Sequence, residues 1–436
     1  MTKFICSNIG LTENGEHLTF GGQDVTELAK KYGTPLYLLD EDKIKEKCRI
    51  YKEAFAQYFP EGSVPLYASK ANSFKKIYEI MTEMEMGTDV VSGGEIYTAK
   101  QAGYDLSKAY FHSNNKTDAE IGFAMDNGVG QFVVDHETEL TEINKQAGER
   151  GIRQKVLLRL TPGIDPHTYE AISTGKVDSK FGVAIETGQA SEFVKFALAL
   201  PNIELKGFHC HVGSQVFGED IFERAAEIML SFCAQMQKDF GYKAEYLDLG
   251  GGYGVPYYDG EGKLDIAKKV SEVAEAINSI CAGLNIDVPK ILMEPGRSIV
   301  ADAGMTLYTV GSVKKIPGYQ NYVSIDGGMT DNPRYALYKA RYTSFIANKM
   351  NEPCELTASL VGKCCESGDM IQRDGIYPAS TQKGDIAAVC TTGAYNYSMA
   401  SNYNRIPRPA IVMLKGGDSY IAVRRETYED LLACDC

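Results

Sequence analysis

Apolar residues follow two different rhythms between residue 64 and about residue 300. Stretches in which they recur three or four positions apart predict helices with one buried face, as for Ile77, Ile80 and Met84 in residues 75–86. Between such stretches lie eight short apolar segments. These segments are the predicted strands Val64–Lys70, Thr88–Ser92, Ala109–Ser113, Gln131–Asp135, Lys155–Thr161, Leu205–Val212, Glu245–Gly251 and Lys290–Gly296. Because helical segments follow the strands, the pattern predicts a closed parallel α/β barrel, the TIM-like fold.

Polar residues follow the predicted barrel strands in a pattern that goes beyond ordinary loop polarity. They stand at or near the carboxyl ends of the strands: Lys70, Asp89, Ser113, Asp135, Arg159, His211, Gly251 and Glu294. In a parallel barrel these ends meet at one mouth, where active sites form. A lysine, an arginine and a glutamate so close to apolar strand cores therefore predict a site at that mouth.

The pattern changes after about residue 305, where strands are separated by turns that contain glycine or proline. The predicted strands are Met305–Val313, Tyr322–Ile325, Glu355–Val361, Asp385–Val389, Ala410–Leu414 and Ser419–Ala422. We expect a barrel domain over residues 36–304 and a mostly β domain over residues 305–436. Residues 1–35 have no clear place in the barrel and are assigned to the β domain.

The length of 436 residues fits two domains. The formal net charge is −13, so neither a nucleic acid nor an anionic membrane is expected as a partner. No apolar run approaches the roughly 20 residues of a membrane span, and the first residues lack the features of a signal peptide. We expect a cytoplasmic enzyme with a small-molecule substrate, whose 11 scattered cysteines are reduced thiols.

Two strand ends carry groups suited to a carbonyl and a phosphate. Lys70 ends an apolar strand, and a lysine that is partly desolvated in a barrel mouth has a lowered pKa and can form a Schiff base. Residues 250–252 are consecutive glycines, and Gly254 follows; such a run lets backbone N–H groups close on a phosphate. The spacing fits neither a dinucleotide site nor a P-loop, which leaves a single phosphate or a simple tight turn.

The segment Glu294-Pro295-Gly296-Arg297 ends another barrel strand. A buried acid in this position needs a cationic partner, and a protonated pyridine nitrogen is one. Arg297, three residues later, could reach a phosphate or a substrate carboxylate. The segment therefore suits a charged, nitrogen-containing ring.

Two histidines on one strand raise the question of a metal. His209 and His211 face the same side, because side chains alternate along a strand, but nothing nearby in the sequence completes a set of four ligands. We therefore expect no metal. A better account is that His211 stacks on a flat cofactor while Ser214 donates a hydrogen bond to its phosphate.

Taken together, these residues resemble the fold-type III pyridoxal-phosphate enzymes, a group that joins a barrel to a β domain. Over nearly the whole chain the sequence is most similar to the diaminopimelate decarboxylases. The motifs that favour this family are Pro162–His167, Ile172–Gly175, Asp178–Gly182 and Tyr397–Asn404. The resemblance implies pyridoxal 5'-phosphate as the cofactor and a homodimer whose active site is shared across the interface.

The resemblance also implies roles for single residues. The implied catalytic residues are Lys70 as the Schiff-base lysine, His211 stacked on the pyridine ring, Glu294 paired with the pyridinium and Cys365 as the general acid. The implied cofactor-binding residues are Lys70, Asp89, His211, Ser214, Gly251, Gly252, Gly254, Glu294, Pro295, Gly296, Arg297 and Tyr395. The implied substrate-binding residues are Arg297, Arg334, Tyr338, Glu366 and Tyr395. Cys365 and Glu366 would reach across the dimer interface. One departure is Tyr335, where the family often has a proline after the arginine.

The implied reaction converts meso-2,6-diaminopimelate to L-lysine and CO2, the last step of lysine biosynthesis. The far end of that substrate carries a carboxylate and an ammonium group, and Arg334 and Glu366 supply the opposite charges. Sister decarboxylases for ornithine, lysine, arginine or carboxynorspermidine are the alternative, followed by a non-catalytic cofactor-binding protein. Glu294 disfavours a racemase, because alanine racemase places an arginine at the pyridine nitrogen.

Overall fold

The computed structural model describes residues 4–164, 179–218 and 220–436, which form two compact units. The barrel unit comprises Lys47–Gly254 and Lys263–Gly296. The β unit comprises Met1–Glu46, Val255–Gly262 and Arg297–Cys436. Three of the motifs that suggested the family lie wholly or partly outside the described residues, namely all of 172–175, residues 165–167 of the motif 162–167, and residue 178 of the motif 178–182.

The chain begins with a small antiparallel sheet and the first long helix. The elements are β1 (Ile9–Leu11), β2 (Leu18–Phe20), β3 (Gln23–Asp24), α1 (Val25–Tyr32), β4 (Leu36–Asp40) and α2 (Glu41–Tyr58). Strands β1, β2 and β3 pair in that order. Helix α1 starts at Val25 because the carboxylate of Asp24 accepts the backbone N–H of Thr26, which would otherwise lack a partner.

The next elements alternate as the sequence predicts. They are β5 (Val64–Ala68), α3 (Lys75–Glu83), β6 (Gly87–Val90), α4 (Gly93–Gln101), β7 (Ala109–Phe111), α5 (Asp118–Asp126), β8 (Gln131–Val134), α6 (Glu137–Glu149), β9 (Gln154–Thr161), β10 (Val183–Ala184), α7 (Gln189–Ala199), β11 (Ile203–His209), α8 (Ile221–Phe240), β12 (Tyr246–Asp248), α9 (Ile266–Leu284) and β13 (Lys290–Met293).

Eight of these strands close into a parallel barrel, which confirms the predicted fold class. Their order is β9-β11-β12-β13-β5-β6-β7-β8, and β8 pairs with β9 to complete the ring. The two-residue strand β10 pairs with β9 beside the ring. The central strands β6, β7 and β8 are buried along their whole length, as expected for parallel strands covered by helices on one side and by the barrel core on the other.

Side-chain hydrogen bonds cap the starts of several barrel helices. The side chain of Ser92 accepts the backbone N–H of Glu95 at the start of α4. At α5, Thr117 and Glu120 form a capping box, in which each side chain accepts the other residue's backbone N–H. Such caps fix where a strand gives way to a helix, and they leave the residue just after the strand at the barrel mouth.

The β unit holds the remaining elements. They are α10 (Arg297–Val300), β14 (Gly304–Lys314), β15 (Tyr322–Ile325), α11 (Arg334–Tyr338), β16 (Ser344–Ile346), β17 (Cys354–Val361), β18 (Met370–Pro378), β19 (Ile386–Cys390), β20 (Ala410–Lys415), β21 (Asp418–Val423) and α12 (Tyr428–Leu432). The main sheet has the order β18-β17-β15-β14-β4-β20-β21, and β19 pairs with β14 and β16. A mostly β second domain, as predicted, is confirmed.

The boundaries between the units differ from the predicted ones at residues 36 and 304. Strand β4 pairs antiparallel with β14 and parallel with β20, so residues 36–46 belong to the β unit. Its apolar sequence followed by a helix looks like the first strand of a barrel, but its hydrogen-bonding partners lie far along the chain. Residues 255–262 and 297–304 also belong to the β unit.

The longest helices among the described residues are α8, with 20 residues, and α9, with 19. Within the described residues, no helix has both the length and the apolar character that crossing a membrane requires. The 11 cysteines are all free thiols, which agrees with the predicted absence of a disulfide framework.

Candidate active site

Lys70 lies at the carboxyl end of β5, within a short 3-10 turn over Ser69–Ala71. Lys70 is exposed, and its expected partial desolvation stays a prediction. Strand β5 ends at Ala68, two residues before the predicted end. The neighbouring Asp89 is buried, and its carboxylate accepts the backbone N–H of Ser69 at 2.8 Å. Asp89 thus fixes the turn that presents Lys70.

Four buried side chains meet at the carboxyl ends of four barrel strands: His112 after β7, His209 at the end of β11, Asp248 at the end of β12 and Glu294 after β13. We call them the barrel-mouth cluster. The Nε2 atom of His112 lies 2.8 Å from Oε1 of Glu294, and Nε2 of His209 lies 3.4 Å from the same carboxylate. The two imidazole rings meet edge to face with centroids 5.0 Å apart.

The two carboxyl groups of the barrel-mouth cluster have pKa values shifted in opposite directions. Burial alone would raise the pKa of Glu294, but attraction to His112 and His209 and hydrogen bonds from them hold that pKa well below its usual range. Burial and then the charge of Glu294 raise the pKa of Asp248 well above its ordinary value. Burial lowers the pKa of His209 to about 4 against that same attraction. A cation placed beside Glu294 would therefore meet an ionised carboxylate.

Donor atoms of these four side chains lie within 4.8 Å of one another. The other three members of this group lie far from His209 in the chain, so residues close to it in the sequence do not reveal the set. His112 and Asp248 are the members that the sequence prediction missed. Their signals were available: His112 directly follows an apolar strand, and Asp248 is an acid within the apolar segment Leu247–Leu249.

The glycine run forms a tightly packed turn beside this cluster. The backbone N–H of Glu294 donates to the carbonyl oxygen of Gly250, and a Cβ atom on Gly251 would lie 2.1 Å from the Glu294 carbonyl oxygen. A Cβ on Gly252, whose φ is +119°, would lie 2.2 Å from the carbonyl oxygen of Gly213. A Cβ on Gly254 would lie 2.6 Å from the ring of Phe217. Only glycine allows this close approach.

His211 and Ser214 follow β11 on the segment that packs against the glycine turn. The backbone N–H of Cys210 donates to the backbone carbonyl oxygen of Asp248, and the backbone N–H of Val216 donates to that of Gly252, each at 2.9 Å. The side chains of His211 and Ser214 are partly exposed. Burial, followed by the positive charges of Lys70 and Arg159, lowers the pKa of His211 well below its usual value, so its ring is neutral and suited to stacking.

In the β unit, two predicted arginines lie within one group of tyrosines. Arg297 is 7% exposed and donates through Nη1 to the hydroxyl oxygen of Tyr257 at 2.6 Å. Its guanidinium carbon lies 4.6 Å from the ring centroid of Tyr395. The backbone of Tyr395 is left-handed, with φ of +60°, a conformation that costs a non-glycine residue about 1–3 kcal/mol and is enriched at functional sites.

Arg334 opens α11 and is 8% exposed. Its Nη1 donates to the hydroxyl oxygen of Tyr342 at 2.8 Å, and its guanidinium carbon lies 4.7 Å from the ring centroid of Tyr257. Among the described residues no carboxylate forms an ion pair with Arg334. Tyr338 stands one helical turn later, on the same side of α11 and partly exposed.

We call these five side chains the arginine–tyrosine cluster: Arg297, Arg334, Tyr257, Tyr342 and Tyr395. The sequence prediction named both arginines and Tyr395. It missed Tyr257 and Tyr342, for which neither periodicity nor a motif gave a signal. Aromatic faces and hydroxyl groups stabilise a buried guanidinium, and the tyrosines provide both.

Cys365 and Glu366 are exposed on a turn between β17 and β18. The backbone N–H of Cys365 donates to the side-chain oxygen of Asn404, and Glu366 accepts the N–H of Gly368. In the described part of the chain neither side chain has a hydrogen bond or an ion pair with another predicted site residue. Their predicted reach across a dimer interface stays a prediction.

The residues of the barrel unit fit pyridoxal phosphate. A turn of glycines packed so closely that a Cβ would collide leaves no side chain between its backbone and a phosphate. Glu294 offers an ionised acid for a ring nitrogen, and the exposed Lys70 carries an amine, the group that reacts with a carbonyl carbon. These groups therefore match the phosphate, the ring nitrogen and the carbonyl group of that cofactor.

Comparison with known proteins gives a consistent result. Residues 41–301 match the family model of the pyridoxal-dependent decarboxylases, pyridoxal binding domain. The diaminopimelate decarboxylase of Halalkalibacterium halodurans is 45% identical over 97% of this chain and 96% of its own length. The diaminopimelate decarboxylase of Bacillus subtilis is 43% identical over 96% of this chain and 95% of its own.

Solved structures agree with these relatives. The diaminopimelate decarboxylase of M. jannaschii in complex with L-lysine superimposes with a TM-score of 0.91 at 34% identity, covering 100% of this chain and 99% of that chain. The Helicobacter pylori diaminopimelate decarboxylase, also with L-lysine, gives a TM-score of 0.85 at 33% identity over 94% and 98% of the two chains.

Proposed function

This chain belongs to the diaminopimelate decarboxylases, within the pyridoxal-dependent decarboxylases, and from that membership we infer that it converts meso-2,6-diaminopimelate to L-lysine and CO2. The observation that carries the inference is the 45% identity to a diaminopimelate decarboxylase over 97% of the chain. The cofactor is pyridoxal 5'-phosphate, and the reaction is the last step of lysine biosynthesis.

Bound pyridoxal phosphate takes up the electron pair that the departing carboxylate leaves behind. Lys70 would hold it through the side-chain amine, and Glu294 would keep a proton on its ring nitrogen. His211 would lie against its ring, and Asp89 keeps the turn of Lys70 in place. The remaining proposed cofactor ligands are Ser214, Gly251, Gly252, Gly254, Pro295, Gly296, Arg297 and Tyr395.

The protonating role of Glu294 rests on its charge. A carboxylate that stays ionised while buried stabilises a proton on a nearby nitrogen, because the pair is attracted in a medium where water screens little. His112 and His209 hold Glu294 in that state, since they lower its pKa against the effect of burial. Asp248 does not compete for the role, because its own pKa is raised.

Selection of the substrate is proposed to depend on Arg334. As a substrate, diaminopimelate carries a second carboxylate, far from the one that leaves, whereas ornithine and lysine as substrates carry only the one that leaves. A guanidinium binds a carboxylate through two parallel hydrogen bonds. Arg334 is buried and has no carboxylate partner among the described residues, so it has a charge to offer. Tyr338 and Glu366 would complete this end, with Glu366 accepting the ammonium group.

The proton that replaces CO2 is proposed to come from the thiol of Cys365, which delivers it to the substrate carbon. Cys365 and Glu366 are both exposed in the single chain, which supports a role in which a partner subunit covers them. We therefore also propose a homodimer with shared active sites, acting in the cytoplasm. Light scattering on the purified enzyme measures the dimer.

The test of the function is CO2 release from diaminopimelate by the cofactor-loaded enzyme, with ornithine, arginine and lysine assayed alongside. The decisive variant is Arg334→Ala, and its matched control is Arg341→Ala, an exposed arginine of the same segment that lies over the ring of Tyr258. Losing two charge-assisted hydrogen bonds raises KM for diaminopimelate by about a hundredfold. The control stays within about twofold, since exposed charges contribute little.

Each outcome has a definite meaning. Release from diaminopimelate alone, lost selectively in Arg334→Ala, supports both the reaction and the role of Arg334. Faster release from another amino acid would overturn the substrate assignment. An equal loss of turnover on ornithine and on diaminopimelate in Arg334→Ala would overturn the role of Arg334, because ornithine has no far carboxylate to lose.

A further inference from the structure

Tyr257 contacts both arginines of the arginine–tyrosine cluster. Its hydroxyl oxygen accepts a hydrogen bond from Nη1 of Arg297 at 2.6 Å. Its ring lies under Arg334, with 4.7 Å between the guanidinium carbon and the ring centroid. The guanidinium carbon of Arg297 also lies 5.8 Å from that ring centroid. The hydroxyl contact can be removed alone, because phenylalanine keeps the ring.

Tyr257 is itself held firmly. It is 3% exposed, and its ring meets that of Tyr342 edge to face with centroids 5.4 Å apart. Its backbone N–H donates to the carboxylate of Glu261 at 2.7 Å, and its carbonyl oxygen accepts from the hydroxyl of Thr343 at 3.0 Å. A ring fixed at its backbone and at its edge has one orientation available to it.

The charges of the cluster explain why such a ring is needed. Arg297 and Arg334 are both positive and both more than nine-tenths buried. Long, unrestrained guanidinium groups of like charge would turn away from each other, and each would lose rotamer freedom on binding an anion. A tyrosine that accepts from one arginine and presents its negative ring face to the other holds both in place before any ligand arrives.

We propose that Tyr257 is a positioning residue that orients Arg297 through its hydroxyl group and Arg334 through its ring. The inference rests on the proposed roles of the two arginines, Arg297 at the cofactor and Arg334 at the far carboxylate of the substrate. Tyr257 thereby prepares two different binding events. It touches neither ligand in this account and acts only through the arginines.

The two contacts predict different losses in two variants of the full-length holoenzyme. Tyr257→Phe keeps the ring and removes the hydroxyl group, so the dissociation constant of pyridoxal phosphate rises about tenfold while L-lysine binding changes less than threefold. Tyr257→Leu removes both contacts, so L-lysine binding also weakens, by about tenfold. L-lysine is the right probe for Arg334, because it keeps the amino-acid end of diaminopimelate and lacks the carboxylate that is lost.

The matched controls are Tyr258→Phe and Tyr258→Leu. Tyr258 is the next residue on the same segment, and its ring lies under Arg341 at 4.1 Å. Both control variants should bind pyridoxal phosphate and L-lysine as the unchanged enzyme does. Cofactor release is followed by absorbance during dialysis, and L-lysine binding is measured by calorimetry.

The pattern of losses decides the proposal. A cofactor affinity of Tyr257→Phe equal to that of the unchanged enzyme overturns it, even if Tyr257→Leu fails to fold. Equal losses of both ligands in Tyr257→Phe also overturn it, because a general disturbance of the β unit would not separate hydroxyl from ring. Failure of the unchanged enzyme to bind L-lysine or to act on diaminopimelate would instead overturn the proposed function.

Discussion

Lys116 and Glu139 form a buried ion pair in the barrel unit whose removal should be costly. The side chains are 0% and 1% exposed, and the Nζ atom of Lys116 lies 2.6 Å from Oε1 of Glu139. Nζ also donates to the carbonyl oxygens of Val133 at 2.7 Å and Ser113 at 3.1 Å. The pair thus ties the ends of β7 and β8 to the first turn of α6.

Replacing the lysine leaves a buried carboxylate without its cation. Lys116→Met keeps most of the volume but removes three hydrogen bonds, and breaking a buried pair in this way costs about 3–5 kcal/mol. For a unit of this size the melting temperature falls by about 2–4 °C per kcal/mol, so we expect a loss of about 6–20 °C. Adding Glu139→Gln removes the unpaired buried negative charge and should restore at least half of the lost melting temperature.

Differential scanning calorimetry measures these shifts. The matched control is Lys145→Met, which breaks a surface pair in α6 whose lysine side chain is 61% exposed and lies 3.2 Å from Glu142. That pair contributes little to stability, because water and salt screen exposed charges. If Lys116→Met and Lys145→Met lowered the melting temperature equally, or if the double variant melted below Lys116→Met, the argument from burial would be refuted.

Two further predictions concern the cofactor. Gly251→Ala forces a Cβ to within 2.1 Å of the Glu294 carbonyl oxygen, so the variant should lose bound pyridoxal phosphate on gel filtration, whereas Gly283→Ala, with nothing within 4 Å of its added Cβ, should retain it. His112→Leu removes one of the groups that keep the pKa of Glu294 low. A lowered carboxyl pKa stabilises the folded protein above the ordinary carboxyl pKa, and this stabilisation is lost as the pH falls. In the variant the pKa of Glu294 is higher, so Glu294 becomes protonated, and acid release of the cofactor begins, at a higher pH. Unchanged release in an absorbance titration would contradict that account.

The barrel could be predicted from sequence because its strands and helices are encoded locally. Each strand is an apolar segment of the length that strands have, and each is followed by helical spacing. The strand ends were the weaker part: β13 stops at Met293, whereas the prediction continued to Gly296. The prediction included the residues that follow β13 in the strand, although they belong to the turn that carries Glu294.

The β unit was harder, because its pairings join distant parts of the chain. Strand β18 (Met370–Pro378) escaped prediction, since exposed polar residues alternate irregularly with buried ones and its antiparallel pairing with β17 has register shifts. The same limit applies to the site. The contacts that give His112, Asp248 and Tyr257 their roles are with residues more than 35 positions away in the chain. A local sequence pattern does not predict such contacts.

The placement of β4 has a consequence for how the protein is made. All five residues of β4 are buried in the finished sheet, and they pair with β14 and with β20. About 370 residues separate β4 from β20, so at ordinary rates of translation about 20–70 s pass before that partner is synthesised. During this interval the nascent chain carries an apolar strand edge with nothing to cover it. Chaperone binding close behind the N-terminus, and poor yields from N-terminal fragments, follow from this order of synthesis.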